Sequence, residues 1–147
     1  MRTGRLPAHL LMCLSVRNSM KYLPALILAL LLCMACSNPS PEEMASIAAK
    51  GYYTHLVNGE YEAFLEGKDG ADSLPDAYRE QLLTCYRQFV AQQNRDHHGI
   101  LDIRVSNAVT DTALQYTNVF LVLCFGDSVN EEIVVPMVER NGSWRMK

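Results

Sequence analysis

Four histidines, five cysteines and seven tyrosines are the residues of this 147-residue chain best able to move protons, hold metals or carry redox chemistry. Their spacing decides how much of that chemistry is open to them. His97 and His98 are adjacent, so their side chains diverge, and no third ligand stands at a useful interval. A solvated loop is the expectation there, and no metal site is assigned. His55 lies beside the apolar side of a helical stretch, where it could act as a general base. Such chemistry needs a base paired with a group that stabilises the developing charge, and no spacing supplies that pair. No catalytic residue and no cofactor is therefore expected. The tyrosines suit a pocket wall, because each joins an apolar ring to a hydrogen-bonding tip. Trp144 follows Asn141 and Gly142 and is read as the plug of a final hairpin rather than a ligand platform.

The cysteines divide by position. Cys13, Cys33 and Cys36 belong to the N-terminal part, and only Cys85 and Cys124 belong to the rest. Those two are too far apart in sequence for a local metal pair. Each sits in an apolar stripe, so two buried thiols are expected rather than a disulfide. Residues 22–35 form an apolar, uncharged run directly after Lys21, the pattern of a secretory signal. The run falls short of the ~20 apolar residues a membrane-spanning helix needs. Its end (Leu32, Cys33, Met34, Ala35, Cys36) resembles a lipobox, where a bacterial lipoprotein signal is cut before a cysteine that receives acyl chains such as palmitate. Ala35 supplies the small residue before the cut, and Cys33 replaces the usual Leu. Lipidation of Cys36 would tether the protein, since each buried methylene contributes about 0.8 kcal/mol and several chains hold firmly. Ser37 rather than Asp follows Cys36, which leans toward the outer membrane of a bacterial envelope. The chain thus divides into a signal segment 1–35, a lipidated cysteine and tether 36–40, and a domain 41–147. A poorer apolar patch at 10–14 precedes Met20, which makes Met20 the expected translation start.

Charge excludes one class of partner. Four of the 13 basic residues (Arg2, Arg5, Arg17, Lys21) precede the apolar run and all 16 acidic residues follow it, leaving a net charge of −7 on the remainder. No basic patch survives to bind nucleic acid.

Stepping from these residues to the elements that carry them, Ser40, Pro41 and Glu43 make a helix start with a capping box. That helix should run to Asn58 and Gly59, with Ala45, Ala48, Ala49, Tyr52 and Leu56 on one side. A short helix is expected over 60–65, with Tyr61 and Phe64 facing a core. Ser73 and Pro75 repeat the start signal for a long helix to about Asn94, whose stripe is Tyr78, Leu82, Cys85 and Phe89, flanked by Tyr86 and Val90. After Gly99 the period becomes two. A strand is expected over 100–105 with Leu101, Ile103 and Val105 on one face, a turn at Thr110 and Asp111, and a central strand over 113–125. A third strand over 129–139 contains Pro136, which implies an edge or a bulge. Asn141 and Gly142 make a tight hairpin turn into a last strand over 143–146. Helices first and antiparallel strands afterwards define an α+β fold, with N-terminal helices on a curved sheet of about four strands.

Two segments, residues 56–61 and 132–145, carry a family resemblance. The first helix ends in a Gly59, Glu60, Tyr61 step; the last hairpin runs from an apolar strand through Pro136 to Asn141, Gly142, Trp144 and Arg145. In that order they resemble the small envelope domains of the nuclear-transport-factor-two-like (cystatin-like, lumazine-binding-like) superfamily. The resemblance spans most of residues 41–147 and implies a cone-shaped α+β fold more than any activity. Enzymes of the superfamily place His, Asp or Tyr in the mouth of the cone, and Tyr52, His55, Tyr86, Asp102 and Tyr116 are the residues that would form such a mouth here. The leading expectation is a membrane-tethered, non-enzymatic domain that binds a small apolar or aromatic ligand, or a protein partner. An isomerase- or hydrolase-like acid/base enzyme and a structural, homodimerising module remain the alternatives.

Overall fold

The computed structural model describes residues 38–147. The expected signal segment 1–35, the expected start at Met20 and the expected lipid site Cys36 lie outside the described residues.

Helix α1 (Pro41–Val57) starts as its sequence dictates: the Ser40 side chain accepts from the Glu43 backbone N–H at 3.2 Å and Pro41 fills the first turn. It stops at Asn58, after which Gly59 takes a left-handed φ of 81°. The Glu60 N–H then bonds the His55 carbonyl and the Gly59 N–H bonds the Leu56 carbonyl, satisfying orphan carbonyls at the helix end. Ala45, Ala49 and Leu56 are buried, so the expected stripe is the one that packs. Helix α2 (Tyr61–Glu66) buries Phe64 and Leu65. A single 3₁₀ turn (Ala71–Ser73) takes up Ser73, and helix α3 (Asp76–His97) begins after Pro75 with no side-chain cap. The expected Ser73 cap is thus displaced. Leu74 is extended, as a residue before proline must be, so the helix starts past it.

Four antiparallel strands follow in the order β1 (Ile100–Asp111), β2 (Tyr116–Phe125), β3 (Asn130–Arg140), β4 (Ser143–Met146). Strand β1 is longer than its apolar residues suggested, running on to Asp111, and the expected turn at Thr110 and Asp111 falls later. Asp111 ends the strand and its carboxylate accepts from the N–H groups of Ala113 and Leu114. Register shifts lie between Ile100 and Asp102 and between Val105 and Asn107. The first turns Leu101 outward at 73% exposure, leaving Ile100 and Ile103 as the inward pair. Strict alternation had placed Leu101 beside Ile103.

Strand β2 is central as expected but starts at Tyr116 rather than 113. Where an apolar run on both faces was expected, every second residue from Thr117 to Phe125 is buried and those between are half-buried. Pro136 sits where β4 has run out. Its carbonyl accepts from the Lys147 N–H, so its missing donor faces the unpaired side. Asn141 and Gly142 both adopt positive φ, the two-residue hairpin expected.

Helix α1 crosses the sheet and touches all four strands. Between them lies the core: Ala45, Ala49, Val119, Leu121, Val135 and Met137. Thr117, a fully buried polar residue, has its hydroxyl 3.0 Å from that of Thr110, which in turn donates to the Glu42 carboxylate. That bond is the first cause holding the Glu42 carboxyl below its usual range. The 67–69 loop is sewn to β4 by the bonds Asp69 N–H to Met146 carbonyl and Met146 N–H to Gly67 carbonyl. Among the described residues no helix is long and apolar enough to cross a membrane.

Candidate functional site

The helices do not all sit equally close to the sheet. Helix α3 buries one residue completely, Leu83, across 22 residues. The expected stripe is rotated outward: Tyr78 and Phe89 stand 49% and 38% exposed and Cys85 is exposed, while Tyr86 and Val90 turn inward. The stand-off leaves a cleft of about 410 Å³ between α1, α2, α3 and the inward faces of β2 and β3.

Aromatic rings dominate its walls. The Phe64 ring is met edge-on by Tyr53 at 5.4 Å and by Tyr86 at 4.9 Å between centroids, and Phe89 completes the set from α3. Leu123 and Ile133 form the floor, and Glu131 stands at the open end of β3. Period two sends Glu131, which pairs with Leu123, to the inward face, whereas Glu132 pairs with Val122 and points outward. Burial pushes the phenol pKa of both Tyr53 and Tyr86 upward, so both remain neutral hydroxyls at ordinary pH. The Tyr86 hydroxyl is buried and lacks any hydrogen-bond partner among the described residues. Such a group normally costs about 1–3 kcal/mol to leave unsatisfied.

Of the five residues expected at a mouth, only Tyr86 lines this cleft. Tyr52 is packed against the core and donates its hydroxyl to the Trp144 carbonyl at 2.9 Å. His55 pairs with Glu60 at the exposed end of α1, a consequence of the turn that closes that helix. Asp102 bonds the neighbouring Ile103 N–H and borders a separate hollow of about 140 Å³ beside Lys50 and Thr54. Tyr116 is on the opposite face of the sheet under the Lys147 ammonium, 4.9 Å from its ring centre. The structure does not bring these five together. Tyr53, Phe64, Phe89 and Glu131 were not singled out for a site, and only the density of aromatics on the three helices hinted at it.

The remaining candidates resolve simply. His97 Nδ1 lies 2.7 Å from an Asp127 carboxylate oxygen, and its ring packs on Phe125, tying the end of α3 to the β2–β3 turn. His98 caps α3 with a left-handed φ of 58°. Among the described residues no cluster of three His, Cys, Asp or Glu could hold a metal. Cys85 and Cys124 are free. The buried-thiol expectation fails for Cys85, which the rotation of α3 exposes, and Cys124 is only half-buried. Cys124 projects from the other face of the sheet, where it accepts from Arg104 Nε at 3.1 Å.

Compared with known proteins, the fold is of the NTF2-like α+β class. A solved structure from Campylobacter jejuni, provisionally named an NTF2-like transpeptidase, superposes with a TM-score of 0.55 over 67% of this chain and 92% of its own, at 15% identity. At that identity the likeness shows the fold alone. No family profile and no curated protein matches the sequence.

Proposed function

We propose that this protein is a bacterial lipoprotein, anchored to the cell envelope through Cys36 and favouring the outer membrane, whose domain binds a small apolar or aromatic ligand without transforming it. The observation that carries the binding reading is the aromatic cleft with its unpartnered Tyr86 hydroxyl. Apolar walls with few polar groups are what small-molecule sites share. Acyl transfer, which the name of the Campylobacter jejuni protein suggests, needs a nucleophile with an adjacent base. Cys85 supplies a thiol at the cleft, but the described residues that line it include no histidine.

Cys85 gives the test. In the full-length chain, phenylbutanol should slow alkylation of Cys85 several-fold, read by peptide mass spectrometry, while Cys124 on the opposite face reacts as before. An unchanged Cys85 rate would reject the cleft as a binding site. The anchor has a separate test: Cys36→Ser should abolish metabolic labelling with a palmitate analogue.

A second reading, a homodimer, is favoured by one observation. The outward face of the sheet carries no helix among the described residues, and Val109 and Val134 lie 50% and 52% exposed there, with Phe120 between them on β2. A two-fold axis would lay this apolar row on its own copy. Val134→Lys should then convert a dimer to a monomer in light scattering; a wild-type monomer at all concentrations sinks the idea.

A further inference from the structure

We infer that the ligand of the aromatic cleft carries a protonated amine on an apolar body. The inference rests on the cleft being the binding site and specifies which chemistry it selects. Three observations converge.

First, the charge of the walls is one-sided. Glu131 is the sole ionisable carboxylate among the described lining residues, and no Lys, Arg or His stands with it. A ligand carboxylate would enter opposite a like charge with nothing to offset its desolvation. An ammonium would meet its counter-charge.

Second, the rings of Tyr53, Phe64, Tyr86 and Phe89 line the walls. Aromatic faces attract cations through their quadrupole, and the attraction grows when water is excluded. Burial keeps the two phenols neutral, so the rings add no charge of their own.

Third, a primary ammonium has three N–H donors and no acceptor, which suits a lining whose one charged group only accepts. The surplus of acidic residues over the domain adds a field that draws cations toward it.

The test uses three probes of one shape on the full-length protein: phenylbutylamine, phenylbutanol and phenylbutyrate. Titration calorimetry gives each Kd, and protection of Cys85 from alkylation reports the location. The amine should bind about tenfold tighter than the alcohol, and the carboxylate more weakly than either. Glu131→Gln, a substitution at an exposed position, should erase most of the amine's advantage over the alcohol. If the alcohol protects Cys85 and the amine binds no better, the cleft stands and the selection for cations falls. An amine preference that survives Glu131→Gln overturns the role given to Glu131. Failure of all three probes to protect Cys85 overturns the cleft itself.

Discussion

Helices α1 and α3 carry comparable amphipathic signals and meet the sheet in different ways. Helix α1 presents Ala45 and Ala49, fully buried, directly to the strands. Small side chains let a helix axis approach closely, and the core beneath α1 is filled. Helix α3 presents Tyr86 and Val90 inward and keeps Phe89 and Cys85 at the rim. Rings of that size hold a helix off, and the gap is the cleft. Periodicity says which elements pack; the size of the residues on the packed side says whether the contact closes.

The sharpest way to break that contrast is to truncate one side chain on each side of it. Leu121 is fully buried beneath α1, so Leu121→Ala should cost about 2–5 kcal/mol. Phe89→Ala removes a larger side chain from a half-open wall and should cost under about 1 kcal/mol, because water already reaches it. Urea unfolding of both variants measures the two. Equal losses would mean that α3 is packed as tightly as α1 and that no cleft exists.

A second variant sharpens the contrast on the closed side. A methyl group at Gly67 would overlap the Tyr52 ring, which is itself fixed by its bond to the Trp144 carbonyl. Neither neighbour can yield cheaply, so Gly67→Ala should destabilise by roughly 1–3 kcal/mol. Adding Tyr52→Leu to that variant should recover part of the loss in thermal unfolding. No loss in the single variant would show that this side has slack as well.

Local chemistry was the legible part of this sequence. Ser40 with Pro41, Gly59, and Asn141 with Gly142 announce their own geometry because each satisfies backbone groups within a few residues. The central place of β2 is equally plain from its apolar run on both faces, although the structure buries one face and only half-covers the other. Three features were hidden because they depend on distant partners. Leu101 turns outward through a register shift that only the pairing with β2 defines. The second half of β1 is polar, and its place in the sheet comes from the backbone ladder to β2. The rotation of α3 is set by what fits above the sheet, so a stripe counted along the helix was read out of phase. The candidate site inherits that error. Tyr86 was named, but as part of a mouth whose other members occupy the core, a helix end, a side hollow and the far face. Nothing local in the sequence marks Glu131, and only its pairing with Leu123 turns it inward.

The smallest expected effect concerns how the closed side is fastened at its edge. The Arg140 guanidinium holds the Asp69 carboxylate through its Nε and a terminal nitrogen 3.0 Å away, joining the 67–69 loop to the end of β3. That hydrogen bond is the first cause of an Asp69 pKa below its usual value. The sign follows from linkage. A carboxylate with a depressed folded pKa contributes stability that is complete above the ordinary Asp value of about 3.9. The contribution fades as pH falls through the lower, folded value, when both states take up the proton. Asp69→Asn should therefore be slightly less stable than wild type at neutral pH, with the gap closing below about pH 4. Urea midpoints across that range measure it. Because both partners reach solvent, salt should shrink the neutral-pH gap as well. A gap that stayed constant with pH would assign the loss to packing of the loop rather than to the ion pair.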